Sequence, residues 1–130
     1  MSKTVIFGAT GHMGQAIARQ LVADGKPIHL AGRDDGAVAA LAAELGASAS
    51  SFDLTRPDTL AQAVTEASTD GQLAGLVWAV GSILLKPLGR LTASDFVDTY
   101  QTNVVGAALA VQAAQTALKA GTSKPKSGRP

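Results

Sequence analysis

The 130-residue sequence predicts an α/β fold, a doubly wound parallel sheet, and three observations predict it. Apolar periodicity alternates between the strand and helix templates along the chain. A glycine-rich turn, Gly8-Ala9-Thr10-Gly11-His12-Met13-Gly14, joins the first strand to the first helix. Leu73 to Val80 form a nearly continuous apolar run, the pattern of a central parallel strand covered on both faces.

Each element can be justified in order. Thr4 to Phe7 read as a buried strand, and Met13, Ile17 and Leu21 mark a helix that closes at Asp24-Gly25. Pro27 to Ala31 give the second strand. The alanine-rich helix after it carries Val38, Leu41 and Leu45 and stops at Gly46, a usual glycine beyond a helix end. Residues 47 to 52, rich in Ser and Ala, are a weak strand that only their position between helices supports. Pro57 suits the first turn of a third helix reaching about Ala67. After the strand at 73–80, a loop with Gly81, Pro87 and Gly89 leads to Thr92 or Ser94, either of which can cap a long helix ending at Gly121. The domain is thus expected at residues 1–120, a sheet of order 3-2-1-4 that stops after its fourth strand and the long helix. Residues 121–130 have the composition of a flexible basic tail.

Composition narrows the function classes. Apolar residues are 46% and charged residues 16%, enough to fold one modest core. Cysteine is absent and only two histidines occur, which removes thiolate chemistry and argues against a protein-only zinc site. No apolar run is long enough to span a bilayer, and the first residues lead into a strand, so a cytoplasmic location is expected. Lys119, Lys124, Lys126 and Arg129 supply four of the eleven basic residues, leaving seven basic against ten acidic elsewhere. No basic stripe with exposed aromatics accompanies them, so neither nucleic acid nor membrane is an expected partner.

The glycines carry the chemistry. Gly8 permits a tight turn out of the strand, Gly11 lets backbone approach a pyrophosphate, and Gly14 lets the helix pack on the sheet; this is the logic of a Rossmann-like dinucleotide site. Unpaired amides at the helix start, around Thr10, His12 and Met13, point at the anion. The side chain of His12 itself reads as a solvent-facing turn residue. The second strand ends in Gly32-Arg33-Asp34, where such folds meet the adenosine ribose. Gly32 offers no carboxylate there, and Arg33 would meet a 2'-phosphate with a guanidinium, which favours NADP over NAD. The competing readings are Asp34 accepting the ribose hydroxyls of NAD, or Arg33 as an ordinary surface cation.

Four stretches over residues 3 to 118 together resemble the short-chain dehydrogenases/reductases. The Gly8 to Gly14 turn is similar to the family's cofactor turn, with the glycine spacing of its extended and atypical branches. Asp53-Leu54 resembles the aspartate-hydrophobic pair at the adenine. Trp78-Ala79-Val80-Gly81 stands where the family has Asn-Asn-Ala-Gly, and of these Ala79 and Gly81 are assigned to the cofactor site while Trp78 reads as core. Asn103-Val104-Val105-Gly106 matches Asn-x-x-Gly, whose asparagine in relatives helps organise a proton relay; a polar helix residue bonded to backbone or water is the plain alternative. The resemblance implies an NAD(P)-linked oxidoreductase.

The family's acid/base tyrosine, with a lysine four residues on, has no counterpart. The sole tyrosine is Tyr100, followed four residues later by Val104, and Lys119 lies about 28 Å further along a helix. The chain is therefore expected to lack catalytic competence alone, with a non-catalytic NADP-binding sensor or regulatory module, or an oligomerising scaffold, as the other readings. The apolar fourth strand left at an edge, and the helix over 94–120, predict a homo-oligomer.

Overall fold

The computed structural model describes residues 1–81 and 85–122. β1 (Lys3–Phe7), α1 (His12–Ala23), β2 (Ile28–Gly32), α2 (Asp35–Leu45), β3 (Ser48–Ser51), α3 (Pro57–Ala67) and β4 (Leu73–Trp78) alternate as expected. α4 (Ala93–Tyr100) and α5 (Gly106–Thr122) follow a short 3-10 turn at Leu88–Arg90. The strands are parallel in the order β3-β2-β1-β4.

Alternation along β1 divides the core. Val5 and Phe7 face a layer containing α3 and α5, while Ile6 faces α1 and α2 with Leu30, Val38 and Leu41. Each such fully buried side chain contributes roughly 1.5–3 kcal/mol. Phe7, Phe52 and Trp78 form an aromatic cluster on the α3/α5 side, with Phe7 centred 5.4 Å from each of the other two rings. Trp78 is thus core, as its surroundings in sequence suggested. Its Nε1 is buried without a hydrogen-bond partner among the described residues.

β4 departs from its expected cover. Leu73 is fully buried, but Ala74 is exposed and Gly75 to Trp78 are only half-buried, because among the described residues β4 pairs with β1 alone and its main helical cover is α5. It is the edge expected from the order 3-2-1-4, though its apolar run alone reads as a central strand. A register shift opposite Lys3 and Thr4 pairs Lys3 with Leu73 and Thr4 with Gly75, which is how Leu73 and Leu76 both reach the α3/α5 layer.

The long helix differs in two ways. A π-helical turn at Gln101–Val105 separates α4 from α5, where one straight helix was expected. Gly106 follows it, and a Cβ there would stand 2.8 Å from Trp78 Cζ2; tertiary fit against the indole, not local propensity, governs this place. Beyond it Ala110, Ala114 and Ala117 bury one narrow stripe, whereas α4 buries nothing and leaves Phe96, Val97 and Tyr100 exposed. Second, Gly121 does not stop the helix, which continues through Thr122. A Cβ on Gly121 would fall 1.9 Å from the Leu73 carbonyl oxygen, so this glycine serves close approach of α5 to β4. Of the predicted tail, residues 123–130 lie outside the described residues, as do 82–84 of the loop after β4.

Candidate dinucleotide-binding site

The turn after β1 is built by contacts that leave no room for side chains at Gly8 and Gly14. Gly8 has φ +82°, and a Cβ on it would lie 2.7–2.8 Å from the backbone of Ala79 and Val80. The β1 and β4 ends are locked here by the Ala79 amide donating to the Phe7 carbonyl at 2.8 Å. A Cβ on Gly14 would lie 2.0 Å from the Gly8 carbonyl oxygen, so α1 starts hard against the turn. Gly11 meets nothing closer than 3.6 Å and faces open space.

Amide bookkeeping then locates the polar opening. The Gly8 and Ala9 amides donate to the Ala31 carbonyl, and the Gly11 amide donates to Gly8. Gly11 therefore presents its bare Cα, not a free N–H. The first-turn amides of α1, at His12, Met13 and Gly14, have no acceptor four residues back within the helix, and Gly11 has no side chain to cap them. They stay available to an anion, helped by the positive end of the helix dipole. The side chains of His12 and Met13 are exposed and turned from the cavity beside the turn, so only their backbone can serve. Gln15 braces the turn by donating to the Thr10 carbonyl at 2.8 Å.

That cavity, about 300 Å³, is lined by Gly8, Thr10, Gly11, Arg33, Ala79 and Gly81, together with Asp34, Phe52 and Val80. Six of the predicted residues thus converge. Phe52 and Val80 were not foreseen; Phe52 follows the weak third strand, and its place as the one aromatic there was the available signal. Asp34 caps α2, its carboxylate accepting from the Ala37 amide at 3.0 Å. A second cavity of about 420 Å³ shares Arg33 and adds Asp53, Leu54 and Thr55, with Asp98, Gln101 and Thr102 across from them. Thr55 donates its hydroxyl at 2.7 Å and its amide at 2.9 Å to Asp53, which holds that carboxyl below the usual carboxylate range.

Asn103 sits in the π-helical turn, its Oδ1 3.3 Å from where a Cβ on Gly81 would stand. It also lines a third cavity of about 410 Å³ with Leu91, Phe96, Tyr100 and Val104. The structure brings Asn103 to the rim of the glycine site but not into it.

The bare cradle, open amides and guanidinium fit a dinucleotide's phosphates. A family model described as short chain dehydrogenase matches residues 2–129. The chain belongs to the short-chain dehydrogenase family. The family binds nicotinamide dinucleotides. An uncharacterized oxidoreductase of Mycobacterium tuberculosis is 35% identical over 118 residues, 88% of this chain and 44% of the relative. A short-chain dehydrogenase/reductase structure from Brucella melitensis aligns with TM-score 0.84 at 28% identity, over 90% of this chain and 50% of that one. A putative short-chain oxidoreductase from Thermus thermophilus aligns with TM-score 0.72 at 34% identity, over 85% and 50%. The chain spans about half the length of the relatives it matches. No helix among the described residues is long and apolar enough to cross a membrane.

Proposed function

We propose that this short-chain dehydrogenase chain, through a domain over residues 1–120, supplies the adenosine and pyrophosphate part of an NADP-dependent oxidoreductase site and does not turn over substrate by itself. The observation that carries the reading is the Gly8–Gly14 turn, where backbone packing forbids side chains at Gly8 and Gly14 and the first amides of α1 stay open. When bound, the cofactor supplies the hydride. The chain's own residues bind and orient: the amides of His12, Met13 and Gly14 hold phosphate oxygens, and Asp53 and Leu54 flank the adenine. Arg33 carries the NADP preference, because Asp34 already spends its carboxylate on capping α2 and is less suited to accept ribose hydroxyls. Asn103 contributes a relay position only. With Tyr100 as the sole tyrosine and no lysine four residues on, the family's acid/base pair is absent from this sequence.

Calorimetric titration with NADPH and NADH tests it. Micromolar NADPH binding is expected, with Arg33→Ala costing about ten- to a hundredfold against NADPH and little against NADH. Silence with both cofactors leaves only the scaffold reading. Addition of a C-terminal segment bearing Tyr-x-x-x-Lys is expected to restore NADPH oxidation with a carbonyl substrate; cofactor binding without recovery favours a regulatory module instead. The exposed Phe96, Val97 and Tyr100 on α4 and the free edge of β4 favour a homo-oligomer. Light scattering that gives a monodisperse monomer removes that part. A cytoplasmic location accords with the absence of cysteine.

A further inference from the structure

His29 lies in β2 at 2% exposure, a charge-capable ring inside an apolar sheet, and lines neither of the two cavities that share Arg33. Both ring nitrogens are occupied: Nδ1 stands 2.7 Å from Ser48 Oγ and Nε2 stands 2.6 Å from Ser50 Oγ. The contacts continue outward at each end. Lys3 Nζ donates to Ser48 Oγ at 3.1 Å, and Ser50 Oγ donates to the Glu66 carboxylate. Four elements are therefore strung on one line, β1 through Lys3, β2 through His29, β3 through both serines and α3 through Glu66.

The ends dictate every direction in the line. An ammonium only donates and an ionised carboxylate only accepts. Ser50 spends its proton on Glu66, so it accepts from His29, and the ring proton sits on Nε2. Ser48 accepts from Lys3, so its own proton goes to Nδ1. One neutral tautomer satisfies all members. A second ring proton, on Nδ1, would strand the Ser48 hydroxyl and put a cation close to Lys3. We propose that Lys3, Ser48, His29, Ser50 and Glu66 form an acid-sensitive clasp that holds the edge strand β3 and helix α3 on the sheet.

Two further observations support this. β3 has the sequence Ser-Ala-Ser-Ser, poor in the branched and aromatic residues that favour strands, yet it pairs with β2 in full register from Ser48 to Ser51. Its serines on the His29 side supply what its propensity does not. Second, burial and the neighbouring Lys3 lower the His29 pKa to about 4 against the opposing pull of Glu66. Lys3 on β1 and Glu66 on α3 are the charged groups facing the ring, and Gln62, which donates to Glu66 at 3.3 Å, is neutral.

Nitrogen-15 NMR of the ring in a His12→Gln background reads the tautomer directly. The Nε2–H form is expected from pH 7.5 down to 5; an Nδ1–H form, or an imidazolium at pH 6, overturns the proposal. Native-state hydrogen exchange, corrected for intrinsic rates, reads the release. Protection of β3 and α3 amides is expected to fall by tenfold or more from pH 7 to 5, the ceiling for a shift from 6.5 to about 4 being about twentyfold over that interval. Unchanged protection of the β3 and α3 amides overturns it. A His29→Leu, Ser48→Ala, Ser50→Ala variant is expected to remove the pH dependence, and retention of the wild-type profile counts against the clasp.

Discussion

The two edges of the sheet are held by different physics. β3 is four residues of serine and alanine, tied to its neighbours through directional bonds that meet at one imidazole. β4 is six residues, largely apolar, held by area and shape: Leu73 under the end of α5, Trp78 in the aromatic cluster, Leu76 against the same core layer, and the alanine stripe of α5 alongside. The polar edge therefore depends on protonation and hardly on volume. The apolar edge depends on volume and hardly on pH. Polarity also protects β3 as an exposed edge, whereas β4 has the character of a strand that seeks another.

Perturbing each edge sharpens the contrast. Leu73→Ala removes a fully buried side chain at the start of β4, and urea unfolding is expected to show a loss of about 2–5 kcal/mol that is the same at pH 7 and pH 5. Gly121→Ala forces a methyl into the Leu73 carbonyl and is expected to cost about 1–3 kcal/mol, again without pH dependence. On the other edge the wild type itself is the experiment. The ordinary His value of about 6.5 in the unfolded chain exceeds the folded value of about 4, so the unfolded state binds the proton first. The stabilisation is complete above about pH 6.5 and declines as pH falls toward 4, by on the order of 2 kcal/mol at pH 5. Flat stability across that window would contradict the contrast. The smallest effect belongs to Lys3→Met, which removes the neighbouring cation; the His29 titration seen by NMR is expected to move upward by a fraction of a unit, making the β3 edge less acid-sensitive.

What could be read from the sequence tracks how local the cause is. Gly8 and Gly14 were legible because a turn between strand and helix leaves room for nothing else, and Pro57, Thr92 and Gly46 announce helix ends through their own backbone chemistry. Thr92 indeed caps α4 in a reciprocal box with Asp95. Arg33 could be placed by its distance from the glycines, and Asp53 by the resemblance of Asp53-Leu54 to the family's aspartate-hydrophobic pair. The misreadings have distant causes. Gly121 looked like a stop signal after an alanine-rich helix, but its partner is Leu73. The π-helical turn is followed by Gly106, which fits closely against Trp78, a tertiary contact that local periodicity does not encode. β3 was credible only by position, because the residue that explains its serines is His29, on the neighbouring strand.

Trp78 has a practical consequence. It is the only tryptophan in the chain, and it lies in the strand that continues into Ala79, Val80 and Gly81 on the wall of the glycine cavity. Its emission reports on this one place in the molecule, so under the proposed cofactor reading, transfer from the indole to a reduced nicotinamide would give an optical signal of occupancy that needs no added label.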